Sequence, residues 1–354
     1  MKNDLERYRS KCDRFLSGHG VRSAADVLAS IPAELGIDRY GEGGAVEALE
    51  REMRKVLGKP AAVFMPSGTM AQQIAIRIHA DRSGRRAVAF HPTCHLEMHE
   101  DKAYQRVHGL VGVLVGNPRT LMTLQDLRAV REPLAAVIFE LPQREIGGCL
   151  PDWKDLREQV AFVRKKGAAA HLDGARLWES TPFYKKTPAQ IAALFDTVYV
   201  SFYKGLGGLA GCCLAGSEED IAEARAWRKR QGGTLYGMWP NAASALDGLR
   251  KRLPLMPKYF AHARAIAEKL HSIPGVEVLP DPPQTPMMRM LLKVDAKRLQ
   301  ANACRIARER GIYTFASSGT GQSPSIRVIE LAVGDATLKL NSKEIAEVFG
   351  ELVA

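Results

Sequence analysis

The sequence predicts an α/β fold, with a large domain on a mostly parallel sheet and a smaller C-terminal α/β domain. Three observations carry this expectation. Between residues 61 and 211, apolar runs of strand length alternate with helical patterns, as in strands joined by helical crossovers. Polar and charged residues stand where those runs end, and ligands of parallel sheets bind at the carboxyl ends of strands. The 354 residues suffice for two domains, by the usual size of a domain.

The elements follow in order. Residues 1–36 read as helical and amphipathic, a segment of the kind that packs across a neighbouring subunit. Asp38-Arg-Tyr-Gly-Glu-Gly-Gly44 is a glycine-rich loop. A helix follows over 45–57, its apolar positions 46, 49, 53, 56 and 57 on one face, and Gly58 and Pro60 end it. Ala61–Pro66 is a short strand, and Ser67-Gly-Thr-Met-Ala71 opens a helix through about Ala80. A helix start with free N–H groups and nearby hydroxyls binds anions. An N-cap by Ser67 or Thr69 gives the same pattern, so the motif alone leaves both readings open.

Arg86–Phe90 is the next strand, followed by His91, His95 and His99 within nine positions. His95 and His99 have the spacing of a metal pair, but no third ligand stands at a convincing distance. One functional imidazole is favoured and no metal is expected. Leu134–Glu140 and Ala168–Asp173 are buried strands ending in acids, with a helix over about 152–166 between them. In Asp196–Gly211, strand residues Thr197, Val198, Tyr199, Val200 and Phe202 give way to glycines 205, 207, 208 and 211. Lys204 sits at that break. Burial there lowers an amine's pKa toward what a Schiff-base lysine needs. Beyond Asn241 come helices near 241–252, 257–272 and 296–310, strands near 275–279, 287–294, 311–315 and 325–331, and a last helix from about Ser342. The expected division is a 1–44 arm and loop, a 45–240 large domain and a 241–354 small domain.

Composition limits the function classes. Hydrophobic content is 46% and charged content 25%, ordinary for a globular protein. No apolar run reaches the roughly 20 residues of a membrane span. The charged N-terminus lacks an apolar signal region, so a cytoplasmic protein without membrane partners is expected. The six cysteines form no CxxC pair and point to neither a disulfide framework nor zinc. The net charge of +11 is dispersed and carries no aromatic stacking pattern, which argues against a nucleic-acid partner and fits an anionic cofactor or substrate.

A phosphate cradle, a flat imidazole, an acid, an arginine and a buried lysine are the parts of a pyridoxal phosphate site. The motifs Tyr40-Gly-Glu42, Phe64-Met-Pro-Ser-Gly-Thr-Met-Ala71, His95 with Glu100, Gly147-Gly148, His171-Leu-Asp-Gly-Ala-Arg176, Ser201-Phe-Tyr-Lys-Gly-Leu-Gly207, Arg228-Lys229 before Gly232-Gly233, and Ser325-Ile-Arg327 carry a further signal. Together they resemble the threonine aldolases of the aromatic-amino-acid β-eliminating lyase group, which have the aspartate-aminotransferase fold, fold type I. The resemblance implies pyridoxal 5'-phosphate, with Lys204 as its Schiff-base lysine and Asp173 as the pyridine-nitrogen partner. It further implies phosphate held by Ser67, Gly68 and Thr69, His95 stacked on the ring, and Arg176 and Arg327 on the substrate carboxylate. A homodimer or homotetramer is implied as well.

The implied reaction is carbon–carbon cleavage of a β-hydroxy-α-amino acid to glycine and an aldehyde, with His95 or a water it orients taking the hydroxyl proton. The alternative is β-elimination or transaldol chemistry on a different amino acid with the same cofactor. The substrate half departs from the family pattern. The usual Ser-Asp-Thr start is absent, Glu140-Leu-Pro-Gln-Arg144 replaces Glu-Asn-Thr-His-Asn, and Tyr236 stands where an arginine is common. Gln143 thus replaces the histidine near the substrate hydroxyl, and Arg144 offers a new cation or a solvent-facing structural pair.

Overall fold

In the computed structural model, residues 4–32, 34–321, 323 and 325–354 are described. The chain divides into two units by its internal contacts. One comprises Met1–Asp26, Ile146–Cys149 and Leu255–Ala354, the other Val27–Glu145 and Leu150–Pro254.

Among the described residues, the larger unit holds seven strands: β1 (Ala61–Met65), β2 (Ala87–Phe90), β3 (Val111–Leu114), β4 (Leu134–Glu140), β5 (Ala169–Gly174), β6 (Thr197–Ser201) and β7 (Cys212–Gly216). Their order in the sheet is β1-β7-β6-β5-β4-β2-β3. Strands β6, β5, β4, β2 and β3 run parallel, and β7 runs antiparallel to both its neighbours. Strands β1, β6 and β7 are buried along their whole length, as expected for a sheet covered on both faces.

Helix α1 (Gly44–Leu57) buries Val46, Leu49, Met53 and Leu57 of the stripe its spacing predicts, with Val56 half-buried. Gly58 ends it in the left-handed conformation at φ 61°, as a C-cap glycine does. Helix α2 (Gly68–Ser83) places Ala71, Ile74, Ala75 and Ile78 in a core with Val63 and Met65 of β1 and Leu214 of β7. Helices α3 (Trp153–Lys165), α4 (Glu218–Arg230) and α5 (Trp239–Arg252) also belong to this unit, with several shorter helices between its strands. Helix α5 packs on α1, so the larger unit extends past residue 240 to Pro254.

The smaller unit has a four-stranded antiparallel sheet. Its strands are β8 (Val276–Leu279), β9 (Met287–Lys293), β10 (Gly319–Thr320) and β11 (Ile326–Ala332), in the order β10-β11-β9-β8. Helices α6 (Met256–Leu270), α7 (Ala296–Arg310) and α8 (Ser342–Val353) pack together, α8 against both others.

The N-terminal stretch is a correction. Among the described residues of the 1–36 stretch, helix is confined to short pieces. The described part contains a 3-10 helix Asp4–Lys11, a strand Arg14–Phe15 paired with Ile312–Tyr313, and a helix Ala24–Ala29. Gly18 and Gly20, at φ 77° and 81°, break it, since left-handed backbone cannot continue a helix. Residues 1–3 and 33 lie outside the described residues.

Candidate active site

The cradle strand β1 is fixed from two sides. Its Phe64 N–H donates to Glu50 Oε1 of α1 (2.8 Å), and Glu50 pairs with Arg225 of α4 at 2.5 Å. Arg228 Nη1 donates to Phe64 O at 2.7 Å. The strand thereby delivers Ser67 to the start of α2. Ser67 Oγ accepts from Met70 N at 3.3 Å, so it is the N-cap. The cap reading holds for this side chain, and the first N–H groups of the 16-residue helix remain without intrahelical partners. At Gly68 a Cβ would lie 2.1 Å from Tyr199 Oη of β6, so only glycine fits there.

His95 begins the short helix His95–Met98. Its Nδ1 lies 2.8 Å from Glu100 Oε1, and Gln73 Nε2 donates to Glu100 Oε2 at 3.2 Å. Glu100 is buried. An ionised carboxylate only accepts, so it holds His95 in the Nδ1–H tautomer and leaves Nε2 as acceptor.

Asp173, next to last in β5, pairs in register with Glu140 at the end of β4. Its Oδ1 accepts from Ala175 N (3.0 Å) and its Oδ2 from Gln72 Nε2 (2.6 Å). Glu140 Oε1 accepts from Arg144 N and Oε2 from Gln143 Nε2, both at 3.1 Å. Burial first, then the charge of Asp173, pushes the Glu140 carboxyl up to about 8. Lys204 follows β6. Burial, then Arg176, lowers its amine below the ordinary lysine value, while Asp173 and Glu140 pull the other way. Lys204 Nζ makes no hydrogen bond among the described residues. Arg176 Nε lies 3.7 Å from Glu179 Oε2 and is largely buried.

One narrow cleft is lined by His95, Glu140, Arg144, Asp173, Arg176 and Lys204, with Leu141, Pro142 and Ala175. Five of the ten predicted site residues thus meet in it. Gln143 is buried at its edge, its amide nitrogen bonded to Thr93 Oγ1 (3.1 Å) as well as Glu140. Arg144 Nη1 pairs with Glu145 at 2.7 Å, so the new cation lines the cleft and is also ion-paired. Ser67, Gly68 and Thr69 stand at the end of β1, joined to β6 through Tyr199. Arg327 belongs to the smaller unit, where it donates to Thr320 Oγ1 (2.8 Å) and Ser318 O (3.1 Å).

Glu140 stands out in the sequence as an acid ending a strand but carries no assigned role there, and two further groups escape the sequence reading. Gln72 and Gln73 carried a weaker signal: two amides on a helix otherwise rich in buried apolar residues.

A family model for beta-eliminating lyase matches residues 22–293. The chain is 30% identical over 310 residues to low-specificity L-threonine aldolase 1 of Arabidopsis thaliana, covering 84% of each. It is 27% identical over 267 residues to the low specificity L-threonine aldolase of Escherichia coli K12, covering 73% of this chain and 78% of that one. A crystal structure from Listeria monocytogenes EGD-E, of a candidate L-allo-threonine aldolase, superposes with a TM-score of 0.93 at 40% identity over 98% of both chains. A structure of SPT with PLP shares the fold, with a TM-score of 0.70 at 17% identity over 96% of this chain and 86% of that one.

Proposed function

The chain belongs to the beta-eliminating lyase family, and from that premise we propose how its cleft cleaves a β-hydroxy-α-amino acid to glycine and an aldehyde. It is a pyridoxal-phosphate-dependent lyase of the threonine-aldolase kind. The residues present fit the cofactor. An open helix start suits the phosphate, a carboxylate suits the ring nitrogen, and an amine of lowered pKa suits the aldehyde. When bound, pyridoxal phosphate supplies the electron sink for the pair left on Cα as the Cα–Cβ bond breaks.

The chain's own residues do the rest. Lys204 holds the cofactor and Asp173 keeps its ring nitrogen protonated. The N–H groups at Gly68 and Thr69, with Ser67 as their cap, bind phosphate. Arg176 and Arg327 bind the substrate carboxylate in a flat two-donor fork, which fixes the bond to be broken. His95 Nε2, or a water it orients, takes the β-hydroxyl proton, and Glu100 steadies the charged imidazole. Gln143 offers its carbonyl oxygen to the substrate side chain, because its amide nitrogen already serves Thr93 and Glu140. Arg144 offers a cation at the mouth.

Convergence of Asp173, Lys204, Arg176 and His95 on one cleft carries this reading. A cytoplasmic homodimer or homotetramer goes with it. Exposed Ile37, Tyr40, Leu235 and Tyr236 support assembly, since large apolar side chains grouped at the surface mark interaction sites.

The test is product analysis. Phenylserine should give glycine and benzaldehyde in equal amounts, and phenylpyruvate with ammonia would instead show β-elimination. Threonine should be cleaved more slowly than phenylserine or β-hydroxyaspartate, and Arg144→Ala should lower β-hydroxyaspartate turnover most. Efficient threonine cleavage untouched by Arg144→Ala would remove Arg144 from substrate choice.

A further inference from the structure

Behind Asp173 lies a row of buried polar side chains that the reaction does not use. Gln72 Nε2 donates to Asp173 Oδ2 at 2.6 Å, and Gln72 Oε1 lies 3.3 Å from His171 Nε2. His171 Nδ1 lies 2.8 Å from Thr197 Oγ1, and His79 Nε2 lies 2.8 Å from the same hydroxyl. All five residues are buried, the most exposed at 4%. Regular geometry builds the row. Gln72 and His79 are seven apart on α2, hence on one helix face, and His171 and Asp173 are two apart on β5, hence on one sheet face. His171 and Thr197 are cross-strand partners.

The hydrogen positions follow from donor arithmetic. Asp173 as a carboxylate only accepts, so the amide nitrogen of Gln72 must face it. The amide oxygen of Gln72 only accepts, so His171 carries its proton on Nε2. Burial keeps His171 neutral, its pKa pushed down to about 3. Its Nδ1 therefore accepts the Thr197 hydroxyl proton. Thr197 Oγ1 in turn accepts from His79 Nε2–H. Every donor in the row points the same way, toward Asp173.

We propose that Gln72 is a positioning residue, the last donor of a one-way hydrogen-bond chain from His79 through Thr197 and His171 that holds Asp173 ionised and in one rotamer. This rests on the reading of Asp173 as the ring-nitrogen partner. Hydrogen bonds to a charged acceptor stabilise that charged form, and buried networks polarise along their length. The chain thus supports the charge Asp173 must carry, without touching cofactor or substrate.

Three variants of the full-length enzyme test this: Gln72→Leu, Gln72→Glu and Asp173→Asn. The readouts are the pyridoxal phosphate dissociation constant of the apoenzyme, kcat against KM for glycine release, and the pH profile of kcat. Gln72→Leu should weaken cofactor binding about tenfold and lower kcat about ten- to a hundredfold, with KM nearly unchanged, the size of one lost charge-assisted bond. Gln72→Glu keeps the shape, but its carboxyl donates only while protonated. Its kcat should fall with rising pH through a titration absent from wild type, whose profile, measured in the presence of the same neighbouring His95, Glu100, Glu140, His171, Asp173 and Lys204, serves as the reference. Should Gln72→Leu fail to fold, the Gln72→Glu profile decides. Wild-type cofactor affinity, kcat and pH profile in the Gln72 variants, with Asp173→Asn inactive, would overturn the positioning role and leave the Asp173 reading intact. Near-normal turnover in Asp173→Asn would overturn both.

Discussion

At the scale of single residues, the cleft is governed by close approaches and by charge. Gly68→Ala should lower cofactor affinity at least tenfold, because a Cβ 2.1 Å from Tyr199 Oη must push α2 or β6 aside. Tyr199→Phe in the same chain should restore part of the affinity, measured by cofactor titration. Glu140 gives a pH signature to the apoenzyme. Its folded pKa of about 8 stands above its ordinary 4.5, so between these values the folded chain holds a proton that the unfolded chain lacks. Its stability contribution is therefore lost as pH rises through that window, at up to about 1.4 kcal/mol per pH unit. Chemical denaturation of the apoenzyme across that window should show the fall, and Glu140→Gln should flatten it. Lys204 and Asp173 stand out in the sequence because a strand end and a glycine loop announce them, and the fold brings both to one cleft. Gln72 does not, because its partner Asp173 lies 101 residues away and only the fold joins them.

At the scale of elements, most strands and helices could be read from periodicity, and the exceptions have physical causes. Strand β3 is a half-exposed edge strand without alternation. Its Gly112 sits where a Cβ would lie 2.7 Å from Phe90 and Tyr104, so the residue that looks like a strand breaker is a packing requirement. Strand β7 begins with Cys212 and Cys213, small residues that read as generic packing until β1 and β6 pair with them. The N-terminal stretch misled because charged residues at helical spacing do not show whether glycines later in the stretch permit a helix. The cap of α2 gives this scale its prediction. Ser67→Ala removes the acceptor for Met70 N and should lower stability by about 1 kcal/mol, read as a shift in denaturation midpoint. Cofactor affinity should fall with it, since the helix start proposed to bind phosphate would fray.

At the scale of the whole molecule, the residues proposed to hold the cofactor lie in the larger unit, and Arg327, proposed as a carboxylate partner, lies in the smaller one. Arg327→Lys keeps the charge and loses the fork, so kcat should fall several-fold while KM rises, in line with lost positioning. Unchanged kcat would make Arg327 a plain ion-pair partner. The most direct test of the central assignment is borohydride reduction of the holoenzyme followed by peptide mapping. The expected result is a stable cofactor adduct on Lys204, absent in Lys204→Ala together with the visible absorption. An adduct on any other lysine, or full visible absorption in Lys204→Ala, would contradict it.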